Sequence, residues 1–312
     1  MVFRLEYAFN KFLEIELYSL NYFIGPNEKL KRQIIHSLKR LSCNKLLTIQ
    51  EEKVYGDDGI GFSLDGQSEK NVEFHFLMSE EDFKYRLQFN KNAMMEEYLN
   101  DMQNDFDINK ALDILNNQLL ELELIISKKS QLSNIQLIMP LLTFQSILKQ
   151  SKLIYGDDES LELLDANLLL HDYMYLLERY VLSNSKTHVL VLRNVNSFLD
   201  EGNKQLLLDF YDNLSKKTNR FFVFIFQDEE FNNMDKIYLE QITILHSRIE
   251  QLPPLDIFEN SIMNNYPMEY KCKNLEEKIS YLLLKIGKND MSKSCLNKED
   301  MLLLNTIEDL LI

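Results

Sequence analysis

The chain has 312 residues, 45% of them hydrophobic, so it is long enough for one large domain or two modest ones around a real core. No apolar run approaches the ~18 residues of a membrane span, and the 3 cysteines lie far apart, which predicts a cytoplasmic protein with no membrane partner. The formal net charge of -15 excludes nucleic acid as a partner if it is spread evenly, but not if basic residues gather on one surface.

The amino-terminal residues predict an antiparallel hairpin of two half-exposed strands. Apolar and polar side chains alternate over residues 3–7 and again over residues 12–18, with a turn near Asn10. This period of two is typical of strands that pack one face on a core. An apolar segment at residues 22–24 follows, then a tight turn and an amphipathic helix, which is the context of a phosphate-binding loop.

The tight turn is similar to the phosphate-binding loop of ATP-binding-cassette (ABC) ATPases, G-P-N-G-S-G-K-S-T. Four positions of that pattern are kept: Gly25, Pro26, Asn27 and Lys31. Glu28 and Leu30 replace the two later glycines, which let the backbone approach the phosphates closely, and Arg32 replaces the metal-binding serine. The loop therefore keeps the frame of a nucleotide site without its chemistry.

A predominantly helical region follows two further predicted strands, at residues 46–50 and 72–77. Residues from about 92 to 150 are predicted to be helical. Within them, five apolar residues recur at alternating intervals of three and four, as in a coiled-coil seam: Leu112, Leu115, Leu119, Leu122 and Ile126. Pro140 should end or kink the next helical stretch. We predict a helical arm inserted into an α/β head. The Tyr-Gly-Asp-Asp sequences at 55–58 and 155–158 do not continue into a calcium-loop pattern, so the sequence identifies no metal ligands.

Two later strands carry the remaining ABC-like motifs. Residues 188–200 match the pattern L-L-L-L-D-E-P-T-S-A-L-D, with Arg193 in place of the magnesium-binding aspartate and Asn194 in place of the water-activating glutamate. Residues 220–228 end on Gln227, which replaces the histidine that senses the γ-phosphate, followed by Asp228. The L-S-G-G-Q signature is absent before His188. These substitutions predict an ABC-like architecture that is not an enzyme and needs no ATP.

The predicted fold class is α/β, a degenerate P-loop, ABC-ATPase-like head with a mixed sheet, an inserted helical arm and a helical carboxyl-terminal extension. Residues 242–246 are predicted as an edge strand, and Pro253-Pro254 marks a boundary. Two amphipathic segments in residues 275–312 should bury their apolar faces on the head or on a partner subunit. The predicted domains are a head of residues 1–90 and 183–250, an arm of residues 91–182 and an extension of residues 251–312.

This combination resembles the accessory adaptation protein of type II-A CRISPR-Cas systems, in particular its large subfamily. The phrase V-L-V-L-R-N-V-N-S-F-L-D, followed by a leucine-rich helix, is the closest match. The resemblance implies a homotetrameric ring that threads linear double-stranded DNA from its ends without reading sequence. It implies a part in spacer acquisition during antiviral defence, alongside the integrase pair and the RNA-guided nuclease. It also implies calcium in some members, with ligands that do not align onto this chain.

A ring of this kind needs basic residues only on its inner surface, which reconciles DNA binding with the acidic composition. The candidate DNA-binding residues lie in the first head helix, in the arm and around the helix that follows residue 200. They are Lys29, Lys31, Arg32, Lys39, Arg40, Lys128, Lys129, Lys149, Lys152, Lys216, Lys217 and Arg220, with His36 beside the first group. Each also has a plain explanation as a solvated face or as a favourable charge at a helix end.

Two other functions stay open on the sequence alone. One is an ABC-type NTPase of DNA repair that binds nucleotide through Lys31. The other is a protein-only scaffold that docks partners on the leucine-rich arm. Fold does not choose between these functions.

Overall fold

A computed structural model describes residues 1–43, 46–56, 59–68, 71–88, 93–130, 137–155, 159–160, 163–227, 238–267, 275–288, 293 and 295–311. The chain divides into two compact units, a first unit of Met1–Ser79 with Ser185–Ile312 and a second unit of Glu80–Asn184. Within the described ranges, no helix combines the length and apolar character needed to cross a membrane.

The second unit is inserted in the chain between two segments of the first. The first unit begins with β1 (Val2–Ala8), β2 (Lys11–Glu16), β3 (Leu20–Ile24), α1 (Glu28–Ser42), α2 (Ile49–Tyr55), β4 (Phe62–Leu64) and β5 (Val72–Leu77). The second unit has α3 (Glu80–Leu87), α4 (Met94–Asp101), α5 (Phe106–Lys129), α6 (Phe144–Leu148), β6 (Ile154–Tyr155), β7 (Glu159–Ser160) and α7 (Ala166–Ser183). The first unit resumes with β8 (Thr187–Arg193), α8 (Glu201–Thr218), β9 (Phe221–Phe226), β10 (Ile242–Leu245), β11 (Ile249–Gln251), α9 (Leu255–Asn265), α10 (Leu275–Leu283) and α11 (Lys298–Leu311).

A six-stranded mixed sheet organises the first unit, in the order β11-β10-β3-β9-β8-β5. All neighbouring pairs are parallel except β10 with β11. Every residue of β9 is buried, because its continuous apolar sequence lies inside a sheet covered on both faces. The prediction of β10 as an edge strand is wrong, since β11 pairs along its outer side. Parallel strands of this kind place their carboxyl ends, and hence any ligand site, at one rim of the sheet.

The predicted amino-terminal hairpin is confirmed, and a second sheet of order β2-β1-β4 packs over the first. Phe3 lies against Phe224 of β9 with 5.0 Å between ring centroids, which joins the two sheets in one core. The strand predicted at residues 46–50 is wrong. Thr48 instead caps α2 in a reciprocal capping box with Glu51, so a local side-chain cap overrides the apolar pattern.

The second unit is mainly helical, as the sequence predicts, but its boundaries differ. Helix α3 belongs to it because Phe83 packs on Tyr173 of α7, at 4.6 Å between ring centroids, whereas the sequence prediction ends the head at residue 90. The long helix α5 forms over 24 residues, all of them described and none of them buried. Residues 137–143, around Pro140, are not helical, and the short hairpin β6–β7 was not predicted.

The carboxyl-terminal helices pack within the first unit rather than forming a separate extension. Ile279 and Leu282 of α10 and Leu304 and Ile307 of α11 are fully buried, and Leu311 is 7% exposed. Both predicted apolar faces are therefore covered by their own chain. This burial gives α10 and α11 a structural role in the first unit, independent of any subunit contact.

Candidate functional site

The degenerate phosphate-binding turn lies where the sequence predicts it, between β3 and α1 at the carboxyl rim of the large sheet. Gly25 has a φ of 112°, and a Cβ there would overlap the carbonyl oxygen of Leu245 on β10. Glycine is therefore required for close approach to a neighbouring strand. Asn27 caps α1 by accepting from the Leu30 amide at 3.0 Å and donates its own side-chain amide to the His246 carbonyl at 2.6 Å.

The backbone donors of this turn are taken up by protein acceptors. The Asn27 amide donates to the Leu245 carbonyl at 3.2 Å, and the Glu28 amide donates to the Pro26 carbonyl at 2.9 Å. In a working phosphate loop such donors point at the ligand and hold its oxygens. The amides of Asn27 and Glu28 are instead directed at carbonyl groups of the protein itself.

The Glu28 carboxylate lies between the two basic side chains of the degenerate site. Its Oε1 is 3.1 Å from Lys31 Nζ, and its Oε2 is 2.6 Å from Arg193 Nη2. The Lys31 side chain is only 2% exposed, and its Nζ also donates to the Gln227 carbonyl at 3.4 Å. The substitutions at positions 28 and 193 thus complement each other. An internal anion now faces the lysine that ABC ATPases direct at phosphate.

Asn194, at the position of the missing catalytic glutamate, adopts the left-handed conformation with a φ of 57° and starts the 3-10 turn Val195–Ser197. A cavity of about 220 Å³ lies beside it, lined in part by Arg193, Lys204 and Gln227. Sites for drug-sized ligands and cofactors usually measure about 300–1,000 Å³. The cavity lies below that range, and the degenerate phosphate-binding turn is not part of its lining.

Two further motif positions have structural explanations. Asp200, which ends the S-F-L-D segment, caps α8 by accepting from the Asn203 amide at 2.8 Å. The aspartate of this motif is accordingly used for helix capping here. Gln227 accepts the Lys31 ammonium through its backbone carbonyl. Asp228, which follows it, lies outside the described residues.

The turn after α10 packs on the degenerate phosphate-binding turn. Gly287 has a φ of 67°, and a Cβ there would overlap the His246 ring and lie 2.8 Å from Pro26 Cγ. Glu308 of α11 fixes this turn, since it accepts from the Gly287 amide at 2.7 Å and from Lys293 Nζ at 2.7 Å. The turn after α10 thus covers one side of the degenerate phosphate-binding turn.

The structure divides the DNA-binding candidates of α1 into exposed and buried residues. Lys29, Arg32 and Lys39 are exposed, together with His36, and form one face of the helix. Lys31 is 1% exposed, and Arg40 is 8% exposed, with its Nε 2.7 Å from Glu51 Oε1. Neither Lys31 nor Arg40 presents its side chain to a phosphate backbone, so both are corrected to internal ion-pair residues.

The other basic candidates lie on the surfaces of their units. Lys128, Lys129, Lys149 and Lys152 are exposed in the second unit. In the first unit Lys216 and Lys217 are exposed at the end of α8, and Arg220 is half-buried. Lys216 Nζ lies 2.5 Å from Asp212 Oδ2, and this hydrogen bond raises the pKa of the lysine. Exposure alone does not single out one of these residues as a DNA ligand.

One cluster was missed by sequence reasoning, namely Glu73, His75 and His188. Among the described residues, these are the three that come together with a ligand atom each, all within 4.8 Å of one another. Glu73 and His75 lie two residues apart on β5, but His188 is contributed by β8. No spacing rule links the two segments, so the signal requires the strand pairing.

Comparison with known proteins bears on the fold. No family model and no curated protein matches the chain. Among solved structures, the crystal structure of Stu0660 of Streptococcus thermophilus is similar to it, with a TM-score of 0.81 over 100% of this chain and 94% of that one. The two sequences are 15% identical. This likeness confirms the predicted fold class, an α/β unit with a mixed sheet and additional helices.

Proposed function

We propose that this protein is a non-catalytic member of the accessory adaptation family of type II-A CRISPR-Cas systems, and that it binds the ends of linear double-stranded DNA without reading sequence. The observation that carries the proposal is the pairing of the Glu28 carboxylate with Lys31 and Arg193 inside a nucleotide-binding frame. The similar fold of Stu0660, a CRISPR-associated protein, supports the same assignment.

The arrangement around Glu28 argues against nucleotide chemistry. A triphosphate would have to displace a carboxylate that is 2.6 Å from Arg193 Nη2, and it would bring its own negative charge close to Glu28. Magnesium would have to bind where Arg193 places a positive charge. Both substitutions oppose ATP binding electrostatically, so we propose a protein that uses this fold as a scaffold and needs no ATP.

The exposed face of α1 supports the DNA-binding part of the proposal. Lys29, Arg32 and Lys39 lie on one side of a helix whose opposite side packs in the core through Ile34 and Leu38. Such a stripe suits contact with successive phosphates, which is independent of base sequence. In the proposed homotetrameric ring this stripe faces the channel, and the acidic surface faces outward.

The comparison of linear and covalently closed circular duplexes of equal length tests this proposal. A ring is threaded only at an end, so we expect linear DNA to bind and circles to bind weakly. Affinity should fall steeply with salt, with a log–log slope of about -0.9 for each phosphate neutralised. Equal affinity for the two forms, or a response independent of salt, would contradict the proposal.

A charge-neutralising variant locates the contact surface. Replacing Lys29, Arg32 and Lys39 by glutamine should weaken binding to every sequence alike and should make the salt slope shallower by about 2 to 3 for each subunit whose α1 contacts the duplex. The matched control is Lys11→Gln with Lys53→Gln, two exposed lysines of the same unit. A control variant that loses as much affinity as the α1 variant would remove α1 as the DNA-binding face.

A protein-only scaffold is the second candidate, because α5 exposes apolar side chains along its length. Leu115 is 43% exposed, Leu122 is 44% exposed and Leu124 is 59% exposed. Exposed apolar faces of this kind are typical of protein contact sites. The integrase pair and the RNA-guided nuclease are the partners to test. The scaffold would be favoured if one of these partners binds the unchanged protein but not the Leu115→Gln and Leu122→Gln variants, and if the protein gives no DNA gel shift.

A further inference from the structure

Glu73, His75 and His188 lie on one face of the large sheet, at the amino ends of two neighbouring strands. Glu73 pairs with His188 in the register of β5 and β8, and His75 follows two residues after Glu73. Side chains two residues apart on a strand share a face, and directly paired residues of neighbouring strands do so as well. The sheet topology therefore brings the Glu73 carboxylate and the His75 imidazole next to His188, which lies 113 residues after His75 in the sequence.

The ligand atoms are close to the spacing of a metal site. His75 Nε2 lies 3.0 Å from His188 Nδ1, and Glu73 Oε1 lies 4.0 Å from His75 Nε2. Two nitrogen ligands on a tetrahedral Zn²⁺, at 2.0–2.1 Å from the ion, are about 3.3 Å apart. To hold an ion, the two nitrogen atoms would separate by a few tenths of an ångström, and the rings would give up their hydrogen bond and turn both lone pairs toward the ion.

The two histidines are buried, and the carboxylate has an ion-pair partner on its outer side. His75 is 3% exposed and His188 is fully buried. Burial lowers the pKa of His188 to about 4, an effect that Glu73 opposes and that the charges of Lys186 and Arg220 reinforce. Lys186 Nζ is 2.9 Å from Glu73 Oε2, which leaves Oε1 on the side of the histidines. Metal-ligating carboxylates commonly have an outer hydrogen-bond partner of this kind.

We propose that Glu73, His75 and His188 form a binding site for one divalent transition-metal ion, with water completing the coordination. The ligand set of two imidazoles and one carboxylate selects Zn²⁺ and neighbouring ions of the first transition row. It does not suit Ca²⁺ or Mg²⁺, which prefer oxygen ligands. The ion would cross-link β5, the terminal strand of the sheet order, to β8. This inference is independent of the proposed DNA binding.

A titration of the full chain, freed of metal with EDTA, tests the site with Zn²⁺ and with Co²⁺ as a spectroscopic probe. We expect one ion per chain, an intense visible Co²⁺ spectrum typical of tetrahedral coordination, and a melting temperature that rises with Zn²⁺ concentration because the ion binds the folded state. Glu73→Gln and His75→Gln should each weaken Zn²⁺ binding at least ~10-fold. The Glu73 side chain is 27% exposed, so we expect Glu73→Gln to fold and its Zn²⁺ affinity to be measurable.

The matched control is His171→Ala, which removes an exposed histidine of the second unit. It should bind Zn²⁺ as the unchanged protein does. Two outcomes overturn the proposal. One is the absence of Zn²⁺ binding, which would make the cluster a hydrogen-bonded imidazole pair. The other is binding that Glu73→Gln and His75→Gln leave unchanged, which would assign the ion to the surface.

Discussion

The two ends of strand β8 solve the burial of polar side chains in different ways. At the carboxyl end Arg193 lies 2.6 Å from a carboxylate, and that carboxylate also faces Lys31. At the amino end His188 meets a second imidazole at 3.0 Å. At the carboxyl end, the charges of Arg193 and Lys31 are balanced by a carboxylate of the same chain. The second end holds two buried imidazoles, which we propose bind a metal ion, so a position in a ligand-binding fold does not by itself indicate a ligand site.

The largest expected effect of one substitution at neutral pH comes from removing the Glu28 carboxylate at the carboxyl end of β8. Glu28→Gln takes away the carboxylate that lies between Lys31 and Arg193, and it leaves two positive charges close together. We expect the free energy of unfolding to fall by about 2–3 kcal/mol, below the ~3–5 kcal/mol of a fully buried pair, because the Glu28 side chain is 43% exposed.

Urea unfolding measures this change, and Glu14→Gln serves as its control. Glu14 pairs with Arg4 at 3.5 Å, but both side chains are well exposed, at 62% and 49%. That substitution should cost less than ~1 kcal/mol. If Glu28→Gln is as stable as the unchanged protein, the Glu28 carboxylate is not needed for stability. The pair Lys31 and Arg193 would then again be a candidate site for an anion from solution.

The amino end predicts a pH dependence of stability. The pKa of His188 is about 4 in the folded protein and 6.5 in its ordinary range, so the unfolded chain takes up a proton first as the pH falls. The stabilisation is fully present above pH 6.5 and is lost as the pH falls toward 4, with a slope of up to about 1.4 kcal/mol per pH unit. Glu73, His75, Lys186 and Arg220 face the group and modulate the midpoint.

Unfolding free energies measured between pH 4 and pH 7 for the unchanged protein and for His188→Gln test this prediction. The carboxylates of the chain titrate in both proteins, so the difference between the two slopes reports the protonation of His188. If the two curves run parallel, burial of His188 does not control its protonation. Zn²⁺ should steepen the slope of the unchanged protein only, because the ion competes with protons for the imidazoles.

Local patterns predicted most of the elements, and tertiary contacts account for the errors. The alternation in β1 and β2 and the apolar run of β9 are visible in the sequence because each strand packs on a continuous core. The strand predicted at residues 46–50 was wrong because a side-chain cap at Thr48 starts a helix there. The prediction that Lys31 and Arg40 lie on the surface was wrong because helical periodicity gives no information about ion-pair partners such as Glu51. The His75–His188 contact depends on strand pairing, which no local pattern contains.

The smallest expected effect concerns the contact between the turn after α10 and the degenerate phosphate-binding turn. Gly287→Ala introduces a Cβ against His246 and Pro26 at a φ of 67°. Alanine also disfavours positive φ, so we use Gly66→Ala as the control, where φ is 75° and nothing lies within 4 Å of the added carbon. We expect the control to lose about 1 kcal/mol from backbone strain and Gly287→Ala to lose about 1 kcal/mol more from the contact. Thermal unfolding of the two variants gives the difference. Equal losses would show that the carboxyl-terminal turn does not press on the degenerate phosphate-binding turn.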